Sequence, residues 1–182
     1  MTLISSGHGL HVPGASCLID EVTEARRVAG RITRELELLG SPVTLYHENA
    51  ARNQRDNVNR IINYHNAYNR RLDVSIHFNA VAGGPRTAGI GTETLYRNPH
   101  MQSLASAVSK SITAATGLIL RRGDGTWHRD NLGFLTRTNI NRALLLEICF
   151  VNSREDIRLY HRNFATMCRM IANVFHEAAA HD

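Results

Sequence analysis

The strongest constraint on the fold is the alternation of short β-prone runs with long amphipathic segments. From Glu21 onward, apolar residues recur at three- and four-residue steps as far as Leu39, and Gly40 and Pro42 then end the pattern, which predicts a helix. The same spacing predicts helices over 54–68, 99–116 and 162–179, and β-prone runs predict strands over 2–6, 43–46, 73–78, 92–96, 118–120 and 143–151. We therefore expect an α/β fold, a single domain whose central, mostly parallel, twisted sheet has helices on both faces.

The domain organisation follows from length and from what is absent between these elements. No internal repeat, low-complexity tract or linker divides the 182 residues, so residues 1–182 are expected to form one domain. The longest apolar stretch, 143–151, is interrupted by Glu147 and is about half as long as a membrane span, so no membrane anchor is expected. The first residues lack the basic start and apolar run of a secretory signal, which predicts synthesis in the cytoplasm without a signal peptide.

The net charge and the aromatic content indicate which partners the chain can bind. The net charge of +5 comes mostly from arginines dispersed along the chain, and such a surface attracts polyanions, among them the bacterial cell wall. Aromatic residues make up only 6% and do not interleave with a basic patch, so no nucleic-acid partner is expected.

The three cysteines are widely spaced and form no C-x-x-C pair, so we expect reduced thiols that serve as packing residues. Nothing in the sequence indicates the oligomeric state.

Three polar residues stand at or near the ends of predicted strands, namely His8, His77 and Glu147. Ligands of open α/β sheets collect at the carboxyl ends of strands, and two imidazoles with a carboxylate can form a catalytic zinc site. Each residue also has a structural alternative. Glu147 could pair with an arginine, His77 could donate to a backbone carbonyl, and His8 could be a turn residue between two glycines.

The order of the motifs around these residues resembles a known family. They are Gly7-His8-Gly9, Pro13-Gly14-Ala15 followed by Glu21, Ser75-Ile76-His77-Phe78-Asn79-Ala80, and Leu145-Leu146-Glu147-Ile148-Cys149-Phe150-Val151-Asn152. This pattern resembles the zinc-dependent N-acetylmuramoyl-L-alanine amidases, and more closely the type-three catalytic domain of bacterial autolysins and phage endolysins. The resemblance runs over about 3–176. It implies the α/β fold already expected from the alternation.

Roles for four residues are implied by this resemblance. His8, Glu21 and His77 would bind Zn²⁺, and Glu147 would be the catalytic carboxylate that accepts a proton from water and then donates one to the leaving amine. A largely apolar strand should raise the pKa of Glu147 toward the range that this proton transfer needs.

Some positions near the motifs leave alternatives open. Asp20 and Glu24 flank the implied acidic ligand, and any of these acids could instead favour the helix N-terminus. Ser5 and Ser6 stand where the family commonly has an aspartate, and Leu10 replaces its usual second glycine, which puts the support of the ligands in doubt.

Other polar residues are predicted to be structural. Glu93 is interpreted as an exposed strand acid, with a place in a substrate cleft as the alternative, and the stretch 121–131 as an exposed loop. Cys149 follows Glu147 by two residues and is a less favoured alternative ligand. Surface or packing roles are assigned to the remaining histidines considered, His47, His65, His128 and His161, although His128 could line a cleft.

The expected function is zinc-dependent hydrolysis of the amide between N-acetylmuramic acid and L-alanine in peptidoglycan. Residues 1–182 would be the catalytic domain, with no separate cell-wall-binding domain. The expected setting is a phage endolysin that acts on the wall in the periplasm or outside the membrane. Two alternatives stay open: a zinc peptidase that cuts another amide, and a non-catalytic basic domain that binds the wall.

Overall fold

A six-stranded sheet forms the centre of the computed structural model, which describes residues 1–180. Its strands are β1 (Thr2–Ser6), β2 (Val43–Tyr46), β3 (Leu72–Asn79), β4 (Glu93–Tyr96), β5 (Thr126–His128) and β6 (Ala143–Phe150). They lie in the order β2-β1-β3-β6-β4-β5. Every pairing is parallel except that of β4 with β6, so the expected α/β class with a mostly parallel sheet is confirmed.

Helices cover both faces of the sheet. They are α1 (Glu21–Leu38), α2 (Gln54–Asn66), α3 (Gln102–Thr116), α4 (Gly133–Arg137) and α5 (Arg154–Ala180), and a 3₁₀ turn at Pro99–Met101 precedes α3. Helices α1, α3 and α5 pack together and contribute to the larger core, whereas α2 and α4 enclose a smaller core on the opposite face. None of the helices within residues 1–180 is both long and apolar enough to span a bilayer.

Strand β6 is covered on both faces, which explains why its sequence is nearly all apolar. Leu144 and Leu146 are fully buried in the larger core, and Leu145 is buried in the smaller one. A strand covered on both faces loses the alternation of apolar and polar residues that a half-exposed strand shows. Glu147, on the same face as Leu145, is the one charged residue in this strand.

Two predicted elements differ from the structure near the sheet edge. Residues 118–120 form no strand but only an isolated bridge between Leu120 and Thr92, and β5 lies instead in the stretch predicted to be a loop. The reason is a turn in which Gly123 and Gly125 have φ values of +84° and +73°. This turn returns the chain to β4, where residues of β5 pair in parallel.

Two helices also differ from the prediction. Helix α5 begins at Arg154 rather than at residue 162, because Ser153 Oγ accepts the backbone N–H of Asp156 at 3.1 Å and caps a polar first turn that has no apolar periodicity. Helix α4 has only five residues, too few for a periodic signal, and was not predicted.

The topology brings one set of strand ends together. The carboxyl ends of β1, β3 and β6 lie at one edge of the sheet, because these strands are adjacent and parallel. Strand β4 is antiparallel to β6, so its first residue, Glu93, reaches the same edge.

Candidate functional site

Three side chains converge at this edge. His8 lies just after β1, Glu21 is the first residue of α1, and His77 lies near the end of β3. One potential ligand atom from each lies within 4.8 Å of the other two. His77 Nδ1 is 3.0 Å from Oε1 of Glu21, and His8 Nε2 is 3.6 Å from the same oxygen. The structure thus brings together the three residues predicted as metal ligands.

Backbone amides hold the Glu21 carboxylate in place. Oε2 accepts the N–H of Ala15 at 2.6 Å, and Oε1 accepts the N–H of Phe78 at 3.1 Å. Burial raises the pKa of Glu21, but the hydrogen bond and charge of His77 and the charge of His8 outweigh it, so the pKa lies below its ordinary value. Glu21 therefore stays ionised and keeps a fixed orientation.

The neighbouring acids have other partners. Asp20 is the N-cap of α1 and accepts the N–H of Thr23 at 2.9 Å. Glu24 accepts the hydroxyl of Tyr160 at 2.5 Å. Neither acid belongs to the cluster, which leaves Glu21 as its carboxylate.

Two glycines allow the three side chains to approach one another. A Cβ at Gly7 would lie 1.8 Å from Nε2 of His77, and a Cβ at Gly14 would lie 2.3 Å from Oε2 of Glu21. The chain at Gly7 is also fixed from α2, because Asn57 Nδ2 donates to its carbonyl at 3.0 Å. The glycines in the motifs are therefore required by packing against the cluster.

The two imidazoles differ electrostatically. Burial lowers the pKa of His8, and the charge of His77 lowers it further. Burial also lowers the pKa of His77, but its hydrogen bond to Glu21 outweighs that effect and raises the pKa overall. Ser75 Oγ lies 3.1 Å from the second ring nitrogen of His77.

This donor set fits a zinc ion. Two imidazoles and one carboxylate are the ligands of many catalytic zinc sites, which keep a fourth position open. The two imidazole nitrogens lie 3.0 and 3.6 Å from Oε1 of Glu21, so one ion could be held by all three residues.

Glu147 lies beside this cluster. It is paired in register with His77 on the adjacent strand, so the two side chains are on the same face of the sheet. Its Oε2 is buried and has no hydrogen-bond partner among residues 1–180. Burial raises the pKa of Glu147 to about 7; His77 opposes this rise, and the carboxylates of Glu21 and Glu93 add to it. Such a group can both accept and donate a proton near neutral pH.

An apolar cleft adjoins the cluster between the sheet and helices α2 and α4. Its lining includes His77 together with apolar side chains from α2, β6, α4 and the residue before α4, namely Val58, Ile61, Leu145, Phe134 and Leu132. The cleft can therefore hold an uncharged part of a substrate beside the histidine.

The prediction that Glu93 is an exposed acid was wrong. Glu93 is fully buried, and the side chains of Arg121 and Arg122 lie against its carboxylate. Glu93 also stands directly opposite Glu147 in the β4–β6 register. The pair Arg121-Arg122 before a glycine turn was the only sequence signal, and it does not show which acid the arginines meet.

His65 is buried, as a packing residue would be, and both nitrogens of its ring also contact polar side chains. Its Nδ1 lies 2.7 Å from Oδ1 of Asp73, and its Nε2 lies 3.1 Å from Oγ of Ser5. These are the residue types of a serine hydrolase triad, but all three are fully buried, so no substrate can reach the serine. Ser6 contacts His47 at 3.0 Å. Ser5 and Ser6, which stand where the family commonly has an aspartate, therefore both have histidine partners.

The three thiols lie outside the cluster. Cys149 and Cys168 are fully buried, and burial raises the pKa of each, to about 12 for Cys168. Cys17 is exposed in the loop between His8 and α1. Cys149 is not among the residues that could share a metal with His8 and His77.

Comparison with protein families gives one match over most of the chain. Residues 2–173 match the family described as N-acetylmuramoyl-L-alanine amidase. An uncharacterized protein of Clostridium perfringens, CPE1502, is 26% identical over 179 residues, which are 96% of this chain and 51% of that protein. The chain thus spans about half the length of this relative.

Solved structures share the fold at low identity. The catalytic domain of the CD27L endolysin, which targets Clostridia difficile, has a TM-score of 0.79 at 18% identity, with 95% of this chain and 94% of that chain covered. The CwlD amidase of Clostridioides difficile, in complex with the GerS lipoprotein, has a TM-score of 0.81 at 18% identity, with 100% and 99% covered. The catalytic domain of CwlV, an N-acetylmuramoyl-L-alanine amidase from Bacillus (Paenibacillus) polymyxa, has 0.76 at 23%, with 98% and 97% covered.

Proposed function

The chain belongs to the N-acetylmuramoyl-L-alanine amidase family, and we propose that it hydrolyses the amide between N-acetylmuramic acid and L-alanine in peptidoglycan. The observation that supports this most is the meeting of His8, Glu21, His77 and Glu147 at one sheet edge. Two imidazoles, an ionised carboxylate and a second carboxylate with a pKa near 7 are the groups that metal-assisted amide hydrolysis requires.

We propose zinc as the cofactor, held by His8, Glu21 and His77. A bound zinc ion supplies Lewis-acid chemistry, since it polarises a carbonyl and lowers the pKa of water toward about 7. The chain contributes the orientation. The backbone amides of Ala15 and Phe78 fix both oxygens of Glu21, and Ser75 contacts the ring of His77.

Glu147 is the proposed proton carrier. Its carboxylate takes a proton from the attacking water while the oxygen of that water bonds to the amide carbon. The same carboxyl group then gives the proton to the amide nitrogen as the C–N bond breaks. The products are the lactyl carboxylic acid of the sugar and the free amine of L-alanine. The apolar cleft next to His77 can hold an uncharged part of the substrate during this reaction.

Product analysis tests the activity. The chain is incubated with purified peptidoglycan, and the soluble products are identified by mass spectrometry. Intact stem peptides with a free N-terminal L-alanine are the expected product. Cleavage within the stem would replace the proposal by the zinc peptidase alternative. Binding to sacculi without any cleavage would replace it by the non-catalytic alternative.

Metal analysis tests the ligands. Wild type is expected to hold about one zinc per chain, and His8→Ala and His77→Ala are each expected to lose it. His161→Ala is the matched control, because His161 is exposed on α5 and contacts the ring of Tyr160 instead. Stoichiometric zinc in either ligand variant would overturn the assignment.

We further propose the role of an endolysin, made in the cytoplasm and active on the wall once the membrane is opened. The fold shared with an endolysin catalytic domain supports this role, although bacterial amidases share it too. The test is expression inside a bacterium whose membrane is then permeabilised. Lysis is expected only after permeabilisation, and lysis without it would overturn this part of the proposal.

A further inference from the structure

Two adjacent arginines are held by one buried carboxylate next to the candidate site. Arg122 donates from Nε to Oε2 of Glu93 at 2.8 Å, and Nε of Arg121 lies 3.1 Å from Oε1 of the same group. The Glu93 side chain is 0% exposed, whereas the side chains of Arg121 and Arg122 are 25% and 38% exposed. The acid is therefore an anchor below the surface, and the guanidinium groups reach toward solvent.

Aromatic rings hold the same guanidinium groups. That of Arg121 lies 4.5 Å from the centre of the Phe150 ring, and that of Arg122 lies 3.6 Å from the centre of the Trp127 ring. Arg129 stacks on Trp127 as well, at 4.2 Å. Stacking removes side-chain freedom before any ligand binds, which reduces the entropy cost of binding.

The pair retains hydrogen-bonding capacity and positive charge. Nε of Arg122 is the one guanidinium nitrogen of the pair that donates a hydrogen bond to Glu93, and Nε of Arg121 has no hydrogen-bond partner within the described part of the chain. The two guanidinium groups carry two positive charges, and Glu93 neutralises one. Asp124, the nearby acid in the turn, is already bound to the backbone N–H and the hydroxyl of Thr126.

The acid that anchors the pair lies on the strand next to Glu147. Glu93 is directly opposite Glu147 in the antiparallel register, and neighbouring strands are about 4.8 Å apart. An extended peptide advances about 3.5 Å per residue. The charge of Arg121 also acts on Glu147, where it opposes the rise of the pKa. With the amide before L-alanine at Glu147, the residue after L-alanine can therefore carry a group toward Glu93 and its arginines.

We propose that Arg121 and Arg122 bind the free carboxylate of the acidic residue that follows L-alanine in the stem peptide. This inference rests on the proposed amidase function. Paired guanidinium groups bind a carboxylate through parallel charged hydrogen bonds, and a carboxamide offers neither the charge nor two acceptors. The pair thus distinguishes stems with a free carboxylate from stems in which that group is amidated.

The test compares two muropeptides that differ at one group. One carries D-isoglutamate after L-alanine, and the other carries D-isoglutamine. We expect wild type to cleave the isoglutamate substrate with the higher kcat/KM. Arg122→Gln should reduce this preference about tenfold, mainly through KM, because one charged hydrogen bond is lost. Arg122→Lys keeps the positive charge but lacks the planar guanidinium group with its paired donors, so it should retain part of the preference.

Arg31→Gln is the matched control. Arg31 also pairs with a glutamate, Glu35, at 2.7 Å, but it lies ten residues along α1 from the cluster. It should leave the preference unchanged. Circular dichroism and the melting temperature show whether each variant folds.

The outcomes separate this inference from the amidase proposal. Equal kcat/KM of wild type on both substrates, or equal losses on both in Arg122→Gln, would overturn the inference and leave the amidase activity standing. The second result would mean that the arginines only neutralise Glu93 or support Glu147. Failure of wild type to cleave either substrate before L-alanine would overturn the amidase proposal itself.

Discussion

Glu21 and Glu147 are carboxylates in one site with opposite surroundings. Glu21 receives two backbone N–H groups and lies beside two imidazoles, so its pKa is lowered despite burial. Glu147 has a buried oxygen with no partner in the described residues, and burial raises its pKa to about 7. Surroundings that separate the pKa values of two acids allow one to remain an anion while the other exchanges protons.

The first prediction concerns Glu147. Glu147→Gln keeps the size of the side chain but removes the proton-exchanging group, so we expect turnover of a soluble muropeptide to fall at least ~100-fold. Zinc content and melting temperature should stay near those of wild type, because Glu147 is not among the three clustered ligands. Near-normal turnover would exclude Glu147 from the reaction.

The second prediction concerns the buried His65. Burial lowers its pKa despite Asp73, so the folded protein keeps this imidazole neutral below about pH 6.5, where the unfolded chain takes up a proton. The contribution of His65 to the free energy of unfolding should therefore be highest above about pH 6.5 and fall as the pH drops, by up to ~1.4 kcal/mol per pH unit.

Urea unfolding of the chelator-treated protein at about pH 7.5 and about pH 5.5 measures this effect. His65→Gln cannot titrate and should show a smaller loss between the two pH values. Other groups change the free energy in both proteins: the lowered pKa values of His8 and His47 add to the loss, and the raised pKa values of His77 and Glu147 oppose it. The difference between variant and wild type therefore measures His65. Identical losses in variant and wild type would contradict the prediction.

Among the elements, the loop between β1 and α1 tolerates little change at two of its glycines. The His77 ring occupies the space where a Cβ at Gly7 would lie, and Glu21 occupies that space at Gly14. In contrast, Gly30 lies within α1 and has no atom within 4 Å of its Cβ position. The same residue type is thus required at the site and dispensable in the helix.

The third prediction compares these glycines. Gly7→Ala must displace the His77 ring, so we expect zinc affinity to fall at least ~tenfold while the far-ultraviolet circular dichroism is retained. Gly30→Ala should raise the free energy of unfolding by about 0.5–1 kcal/mol through helix propensity and leave zinc affinity unchanged. Zinc titrations and urea unfolding measure both. Equal zinc affinity of the two variants would contradict the prediction.

How far the sequence predicts each element depends on how local its signal is. The bounds of β1 and β2 are those predicted, because alternating and apolar runs are local patterns. The short β5 is defined by its pairing with β4, which residues 126–128 do not reveal by themselves. The site shows the same division. The motifs gave the four candidate residues, whereas the contact of Glu93 with Arg121 and Arg122 joins segments about 29 residues apart.

In the whole molecule, the candidate site forms only when distant segments pair. His77 and Glu147 lie on strands, and His8 just after a strand, that are neighbours in the sheet but far apart in the chain. The net charge of +5 is likewise a property of the entire surface, because its arginines are dispersed along the sequence. Such a surface attracts an anionic polymer over distances of about the Debye length.

The fourth prediction follows from this charge. If the surface steers the protein to the anionic wall, cleavage of intact sacculi should fall as salt rises above 0.15 M, where the Debye length is already ~8 Å. Hydrolysis of a small soluble muropeptide should change much less. Both rates are measured across a salt series after zinc content is checked. Parallel losses on the two substrates would mean that the charge serves solubility and not steering.

Cys17 offers a handle for spectroscopy. It is exposed in the loop between His8 and α1, whereas the other two thiols are buried and have raised pKa values. A maleimide dye should therefore label Cys17 selectively without any cysteine being removed. Because Ala15 in the same loop donates its N–H to Glu21, the dye would lie two residues from a contact of the cluster. Its fluorescence could then follow occupancy of the cluster in real time, without any substrate.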